Sequence, residues 1–193
     1  MHLLLSLVAF LMGSIPVGQI IAKSRGIDLK KVGSGNIGAT NVLRTTGKLP
    51  ALFTLIGDIA KGAAAVLLAR YAGLEILSQG IIGIIAVLGH NFSVFLRFKG
   101  GKGVATSLGV LSVYSPAAAV VTVIFWFVTV AATRYSSLGA VISFCILPLI
   151  IFFFDTKEKL PIAIIMSIIL IVRHKDNIRR LMAGTESKVG GKS

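Results

Sequence analysis

The sequence predicts an all-α protein, a bundle of helices that cross a membrane, and three observations lead there. First, 55% of the residues are hydrophobic and the mean hydropathy is +0.90, while only 14% are charged, against roughly 25% in ordinary soluble domains. Second, the apolar residues gather in stretches near the ~20 residues that a helix needs to cross ~30 Å of hydrocarbon. Third, the 20 Lys and Arg residues, which outweigh 7 acidic ones to give a net charge of +13, fall almost entirely between those stretches. This apolar content excludes disorder. It also excludes a soluble nucleic-acid binder, which would need the charge but not the oil. The single cysteine, Cys145, excludes an intrachain disulfide framework.

In chain order, the candidate spans are His2–Ala22, Leu49–Tyr71, Leu74–Phe98, Val104–Thr133, Ser137–Phe154 and a shorter Leu160–Val172. The fourth is too long for one crossing and contains Pro116, whose missing N–H cannot continue a helical ladder. We read it as a hairpin of two helices, one ending near Tyr114 and one from Ala117 to Ala132, which makes seven membrane segments. Their alternation places 16 of the 20 cations on one side and Arg70, Lys157 and Lys159 on the other, with Lys61 inside the second span. The positive-inside rule makes the crowded side cytoplasmic, the N-terminus external and the C-terminus cytoplasmic. The N-terminal run resembles a signal peptide in length, but no Lys or Arg precedes it and no clear small-x-small site follows, so it is kept as the first span. The Asn91-x-Ser93 triplet matches a glycosylation acceptor but falls at a cytoplasmic helix end, and is set aside.

This topology brings three polar blocks to one face: 33–48, 89–103 and 173–188. Positive-inside charge explains their Lys and Arg. It does not explain the glycines at 33, 35, 38, 100, 101 and 103, or the Asn and His residues among them. Residues 33–38 spell G-x-G-x-x-G, but no buried strand precedes them and Asp58, twenty residues on, lies in a span, so a dinucleotide fold is excluded. Lys99–Gly103 fails the nucleotide P-loop pattern, with Leu96 and Gly103 at positions that need Gly and Ser or Thr. What survives is the physics of anion binding. Glycines let main-chain N–H groups converge, the loop opens a helix whose dipole favours phosphate, and Lys102 adds a point charge. In the third block His174 and Asn177 are three apart and share a helix face. Glu186, the tail's lone Glu, reads as the structural partner of a nearby cation. Asp58 and Lys61 are i and i+3 in the cytoplasmic half of the second span and read as an ion pair, with a direct substrate role open. His90 is either a structural hydrogen-bond donor or part of the site. No cluster has metal-ligand spacing, so no metal is assigned.

Three motifs in order, S-G-N-I-G-A-T-N-V-x-R at 34–44, G-H-x-F at 89–92 with F-K-G-G-K-G-V-A-T at 98–106, and R-H-x-x-N-I-x-R-L-x-x-G-x-E-x-K at 173–188, resemble those of the bacterial acyl-phosphate:glycerol-3-phosphate acyltransferase family. The resemblance spans the chain and departs from the family's pattern at Ser93, where Pro is expected. It implies one integral membrane acyltransferase domain over 1–193, in the bacterial inner membrane, with its site facing the cytoplasm. It also implies transfer of a fatty acyl group from acyl phosphate to the 1-hydroxyl of glycerol 3-phosphate, giving 1-acylglycerol 3-phosphate (lysophosphatidic acid) and phosphate, the first acylation of phospholipid synthesis. No cofactor is implied. By the same resemblance Ser34, Arg44, His174 and Asn177 belong to the catalytic site. Asn36, Thr40 and Asn41 would bind glycerol hydroxyls or orient phosphate, and Gly100, Gly101, Lys102 and Gly103 would cradle a phosphate. The proton acceptor stays open between His174, His90 and a substrate phosphate oxygen. The alternative function is a transporter for a phosphorylated organic anion, which would place similar groups near the midplane of repeated halves.

Overall fold

The computed structural model describes residues 1–190, so Lys192, counted above in the basic tail, lies outside the described residues. Among these residues there are eleven α-helices and no strand. The helices are α1 (His2–Ser14), α2 (Val17–Lys23), α3 (Ala39–Thr45), α4 (Lys48–Tyr71), α5 (Ile76–Asn91), α6 (Val104–Tyr114), α7 (Pro116–Thr133), α8 (Ser136–Cys145), α9 (Leu147–Phe154), α10 (Leu160–Arg173) and α11 (Lys175–Met182). Every predicted apolar stretch is helical. His2–Lys23, Lys48–Tyr71, Ile76–Leu96 and Pro116–Thr133 are long and apolar enough to cross a membrane, and α8 with α9 makes a fifth if that bent pair is one span. The helices α6 and α10, of 11 and 14 residues, are shorter.

The breaks have local causes. The predicted hairpin turns at Ser115, with Pro116 opening α7, where its fixed φ and missing N–H cost nothing. The Ser115 hydroxyl donates to Asp155, which also pairs with Lys159 at 2.9 Å, tying two turns at one end of the bundle. Two departures from straight spans were not predicted. The first apolar stretch breaks at Ile15–Pro16. The α8–α9 pair bends by 43° at Pro148, which cannot donate to the carbonyl of Phe144 and crowds it. Ser167 Oγ of α10 donates to that carbonyl instead, at 2.6 Å.

Small residues set the closest helix contacts, as expected where lipid supplies no hydrophobic drive between helices. On α4 and α6, a Cβ at Gly62 would strike the Thr106 carbonyl and one at Gly109 the Ile59 carbonyl. On α1 and α5, Gly13 meets Ala86 and Gly89 meets Phe10 in the same way. The core beside these seams is apolar, with Phe144, Leu147, Ile151, Met166 and Leu170 buried, while Phe53, Phe127 and Phe153 face outward. Ser93, the departure from the expected Pro, is fully buried and donates to the Ser14 carbonyl at 2.5 Å, a bond that Pro could not make. A Gly109→Val substitution is expected to cost about 1–3 kcal/mol through overpacking. Thermal unfolding in detergent would read this as a lowered midpoint, and an unchanged midpoint would refute the seam.

Candidate active site

The three polar blocks meet at one end of the bundle. Lys30 Nζ donates to the Gly100 carbonyl at 3.3 Å, Arg173 to the Gly101 carbonyl at 2.7 Å and Lys102 Nζ to Asn177 Oδ1 at 2.5 Å. Thr40 and Ser136 hydroxyls are 3.2 Å apart. Together they surround a cavity of about 340 Å³. Ser34, Asn36, Thr40, Asn41, Arg44, Lys102, Gly103, His174 and Asn177 line it, with Asp58 and His90 in its wall. Apolar side chains line it as well: Leu55 and Ile59 of α4, Leu108 of α6 and Val123 and Trp126 of α7.

Gly100 and Gly101 do not reach this cavity. They line a neighbouring recess of about 190 Å³, whose wall also includes Ser34, Asn36 and Lys102. Their main-chain N–H groups are bonded within the chain. The Gly100 N–H donates to the Asn91 carbonyl at 3.1 Å and the Gly101 N–H to the His90 carbonyl at 3.0 Å, so both amides cap the end of α5. These residues must be glycine because a Cβ would strike the His90 carbonyl or the His90 ring. Gly103, at φ +86°, does fit the predicted pattern: it turns the chain into α6, whose first residues Val104 and Ala105 border the cavity with no side-chain cap. Such an end favours anions.

The Asn41 side chain is likewise committed elsewhere. Its carboxamide donates to the carbonyls of Asn36 (2.8 Å) and Val32 (3.2 Å) and accepts from the Ser34 N–H (2.8 Å). It organises the loop around Gly33, whose φ of +59° and contact with Asn41 leave no room for a side chain. Among the described residues, Ser34 Oγ and the Asn36 carboxamide have no hydrogen-bond partner and remain open to the cavity. Arg44 donates through one terminal nitrogen to the Ser187 carbonyl at 2.9 Å, while its Nε is buried without a partner among the described residues.

His174 is 3% exposed. Its Nδ1 lies 2.8 Å from the Leu170 carbonyl, which can only accept, so the proton sits on Nδ1 and Nε2 is the free acceptor. Burial pulls its pKa down to about 4. The bond to Leu170 opposes this, and Lys102 and Arg173 reinforce it, so the ring is neutral at pH 7. Burial also draws Lys102 down to about 8; Glu186 pulls it back up, and Arg180, Arg173 and Arg44 push it further down.

Glu186 borders the cavity too. It pairs with Arg180 at 2.7 Å, as the sequence suggested, but also accepts from Asn177 (2.7 Å) and Ser137 (2.8 Å). Burial would raise its pKa, yet these three hydrogen bonds hold it below the ordinary carboxylate range. The result is a relay from Lys102 through Asn177 to an ionised carboxylate. The segment carrying Glu186 is strapped down by Arg44 at Ser187 and by Arg134, which exchanges main-chain and guanidinium hydrogen bonds with Val189. Asp58 and Lys61 form the predicted ion pair at 2.8 Å, but Lys61 lies behind the cavity wall.

The fold and this site define a polytopic integral membrane protein with a cavity lined by both cationic and apolar side chains. A family model described as glycerol-3-phosphate acyltransferase matches residues 3–184. Proteins named glycerol-3-phosphate acyltransferase from Trichlorobacter lovleyi and Geobacter sulfurreducens are similar to this chain. The first is 48% identical over 181 residues, covering 93% of each chain; the second is 44% identical over 191 residues, covering 97% of each. The crystal structure of PlsY (YgiH), an integral membrane glycerol 3-phosphate acyltransferase, in its glycerol 3-phosphate form superposes with a TM-score of 0.93 at 39% identity, over 98% of this chain and 96% of that one. Its lysophosphatidic acid form gives a TM-score of 0.90 at 38% identity, over 97% and 94%. The chain belongs to the glycerol-3-phosphate acyltransferase family.

Proposed function

We propose that the chain transfers a fatty acyl group from acyl phosphate to the 1-hydroxyl of glycerol 3-phosphate at the cytoplasmic face of a bacterial inner membrane. The observation that carries this is the mixed lining of the cavity, cationic and apolar side chains around one space. Arg44, Lys102 and the open end of α6 suit phosphate, and the apolar lining of Leu108, Val123 and Trp126 suits an acyl chain. The seven-segment topology, with an external N-terminus and a cytoplasmic C-terminus, is supported by the charge asymmetry and by the gathering of all three basic blocks at one end. A transporter would be expected to hold its anion near the midplane, whereas the cations of this cavity sit at element ends, Arg44 in the last turn of α3 and Lys102 just before α6.

In the reaction the glycerol oxygen attacks the acyl carbon, an ester C–O bond forms, the C–O bond to phosphate breaks, and lysophosphatidic acid and phosphate leave. Arg44, Ser34 and Asn36 would hold glycerol 3-phosphate, Thr40 would face its hydroxyls, and Lys102 with Gly103 and the start of α6 would offset charge on the leaving phosphate. Asn177 steers Lys102. His174, neutral and with a pKa of about 4, is a weak base and serves as a hydrogen-bond acceptor at Nε2. His90 is committed to Lys61 through Nδ1 at 2.9 Å. These two facts favour a substrate phosphate oxygen, with a second pKa of about 6, as the proton acceptor. Among the described residues Ser34 Oγ has no basic partner, which favours direct transfer over an acyl-enzyme.

The test is to supply purified protein in detergent with acyl phosphate and labelled glycerol 3-phosphate. Lysophosphatidic acid is the expected product, and anion flux into proteoliposomes without product would refute the assignment. The same assay gives a pH prediction. Lys102 carries its charge below about 8 and loses it above, so the rate is expected to fall as pH rises through 8. No acid limb from His174 is expected above about pH 5; a limb near 6.5 that vanishes in His174→Gln would restore the histidine as base.

A further inference from the structure

Asp58, Lys61 and His90 form a buried cluster that the reaction as written does not use. They are 2%, 7% and 4% exposed. Lys61 donates to the Ile15 carbonyl at 2.9 Å and meets His90 Nδ1 at 2.9 Å, and it is ion-paired at 2.8 Å with Asp58 Oδ1, an oxygen that makes no hydrogen bond among the described residues and lies 3.5 Å from His90 Nδ1. The Ile15 carbonyl is available because the first span breaks there, at Pro16. An ammonium only donates, so His90 Nδ1 accepts and the ring proton sits on Nε2.

That edge of the ring faces the glycine loop. A Cβ at Gly101 would meet His90 Nε2 first. The His90 carbonyl accepts the Gly101 N–H at 3.0 Å, and Arg173 grips the Gly101 carbonyl at 2.7 Å. Gly101 is therefore held at its amide, its Cα and its carbonyl, and the next residue is Lys102.

We propose that Lys61 is a positioning residue of the acyl transfer: by fixing the His90 ring it holds Gly101, and through it sets Lys102 at the cavity. The cluster thus carries the placement of an intramembrane break to the phosphate-facing lysine. This deepens the proposed function and rests on it for its kinetic consequence alone.

The experiment follows the reactivity of Lys102 as well as turnover. Full-length protein in detergent is pulsed with an amine-specific acylating reagent across a pH series, and Lys102 modification is read by mass spectrometry. In the parent, half-reaction is expected near pH 8. Lys61→Met keeps the aliphatic stem but donates nothing to His90. It is expected to shift half-reaction upward by about one pH unit or more, as Lys102 leaves its buried setting, and to lower kcat/KM by about 10- to 100-fold. Glu186, Arg180, Arg173, Arg44 and His174 face Lys102 and are unchanged in this variant.

An Asp58→Ala/Lys61→Met double variant removes the stranded carboxylate without supplying a new donor beside His90 Nδ1, and is expected to stay impaired, because His90 still lacks its donor. Its full recovery would overturn the proposal and leave Lys61 a counter-charge only. If Lys61→Met does not fold, Gly101→Ala pushes the same joint with the ion pair intact and is expected to shift Lys102 in the same direction. An unshifted Lys102 in a folded variant would overturn the proposal. A parent that labels near pH 8 yet makes no lysophosphatidic acid would refute the reaction and leave the labelling comparison still decisive for Lys61.

Discussion

Replacing Lys102 with methionine is expected to lower kcat/KM for glycerol 3-phosphate acylation by about a thousandfold while the protein stays folded. The side chain reaches the cavity from the residue before Gly103 and meets Asn177 at 2.5 Å, with Glu186 one hydrogen bond beyond. Methionine matches its length and its burial, so packing is kept while a charged donor is lost. Removing one partner of a buried charged contact typically costs about 2–5 kcal/mol, the range that contains a thousandfold change. Initial rates at varied acyl phosphate and glycerol 3-phosphate would measure it, and a loss below about tenfold would remove Lys102 from the phosphate.

Arg44→Met is expected to cost about a hundredfold or more, falling mainly on KM for glycerol 3-phosphate. Arg44 divides its guanidinium between two tasks. One terminal nitrogen holds the Ser187 carbonyl, while Nε is buried without a partner among the described residues. A desolvated charged donor left unpaired is costly, and a substrate phosphate in the cavity would satisfy it. The planar fork matters as much as the charge, so Arg44→Lys should recover only part of the loss. A Lys variant equal to the parent would show that charge alone is recognised. Measuring glycerol 3-phosphate KM at saturating acyl phosphate separates these outcomes.

The helical segments were legible because each is a long apolar run bounded by polar blocks, and Pro116 marked the hairpin on its own. The bend at Pro148 was written in the same code. However, Leu147–Phe154 is so uniformly apolar that a continuous span read equally well, and only the Ser167 hydroxyl meeting the Phe144 carbonyl shows the kink to be accommodated. At the site, Lys102, His174 and Asn177 stood out as polar residues beside membrane spans, while Ser34 and Arg44 came from the resemblance of their motif to the family's. What sequence could not separate was a side chain facing the cavity from one spent on its own loop. Asn41 and Asn36 look alike in the chain, yet Asn41 is consumed by four backbone partners and Asn36 is open. Glycine is equally mute about purpose. Gly103 has the positive φ that the turn requires, while Gly100 and Gly101 are small because α5 lies against them. The apolar part of the lining was invisible, since Leu55, Leu108, Val123 and Trp126 look like any other lipid-facing or core residues until three helices bring them to one cavity. Glu186 showed a signal as the tail's lone acid, but its place at the cavity depends on hydrogen bonds from Ser137 and Asn177 in distant segments.

The strap that closes the cavity also fixes when the enzyme can exist during its own synthesis. Arg44 and Ser187 are separated by 143 positions. Contacts this remote in sequence form late, after the intervening chain has been laid down. The nascent chain emerging from the ribosome can insert its early helices and even present Ser34 and Arg44, but it cannot complete the wall that holds Glu186 beside Asn177. The wall that holds Glu186 beside Asn177 is therefore completed only when the strap segment joins the folded helices.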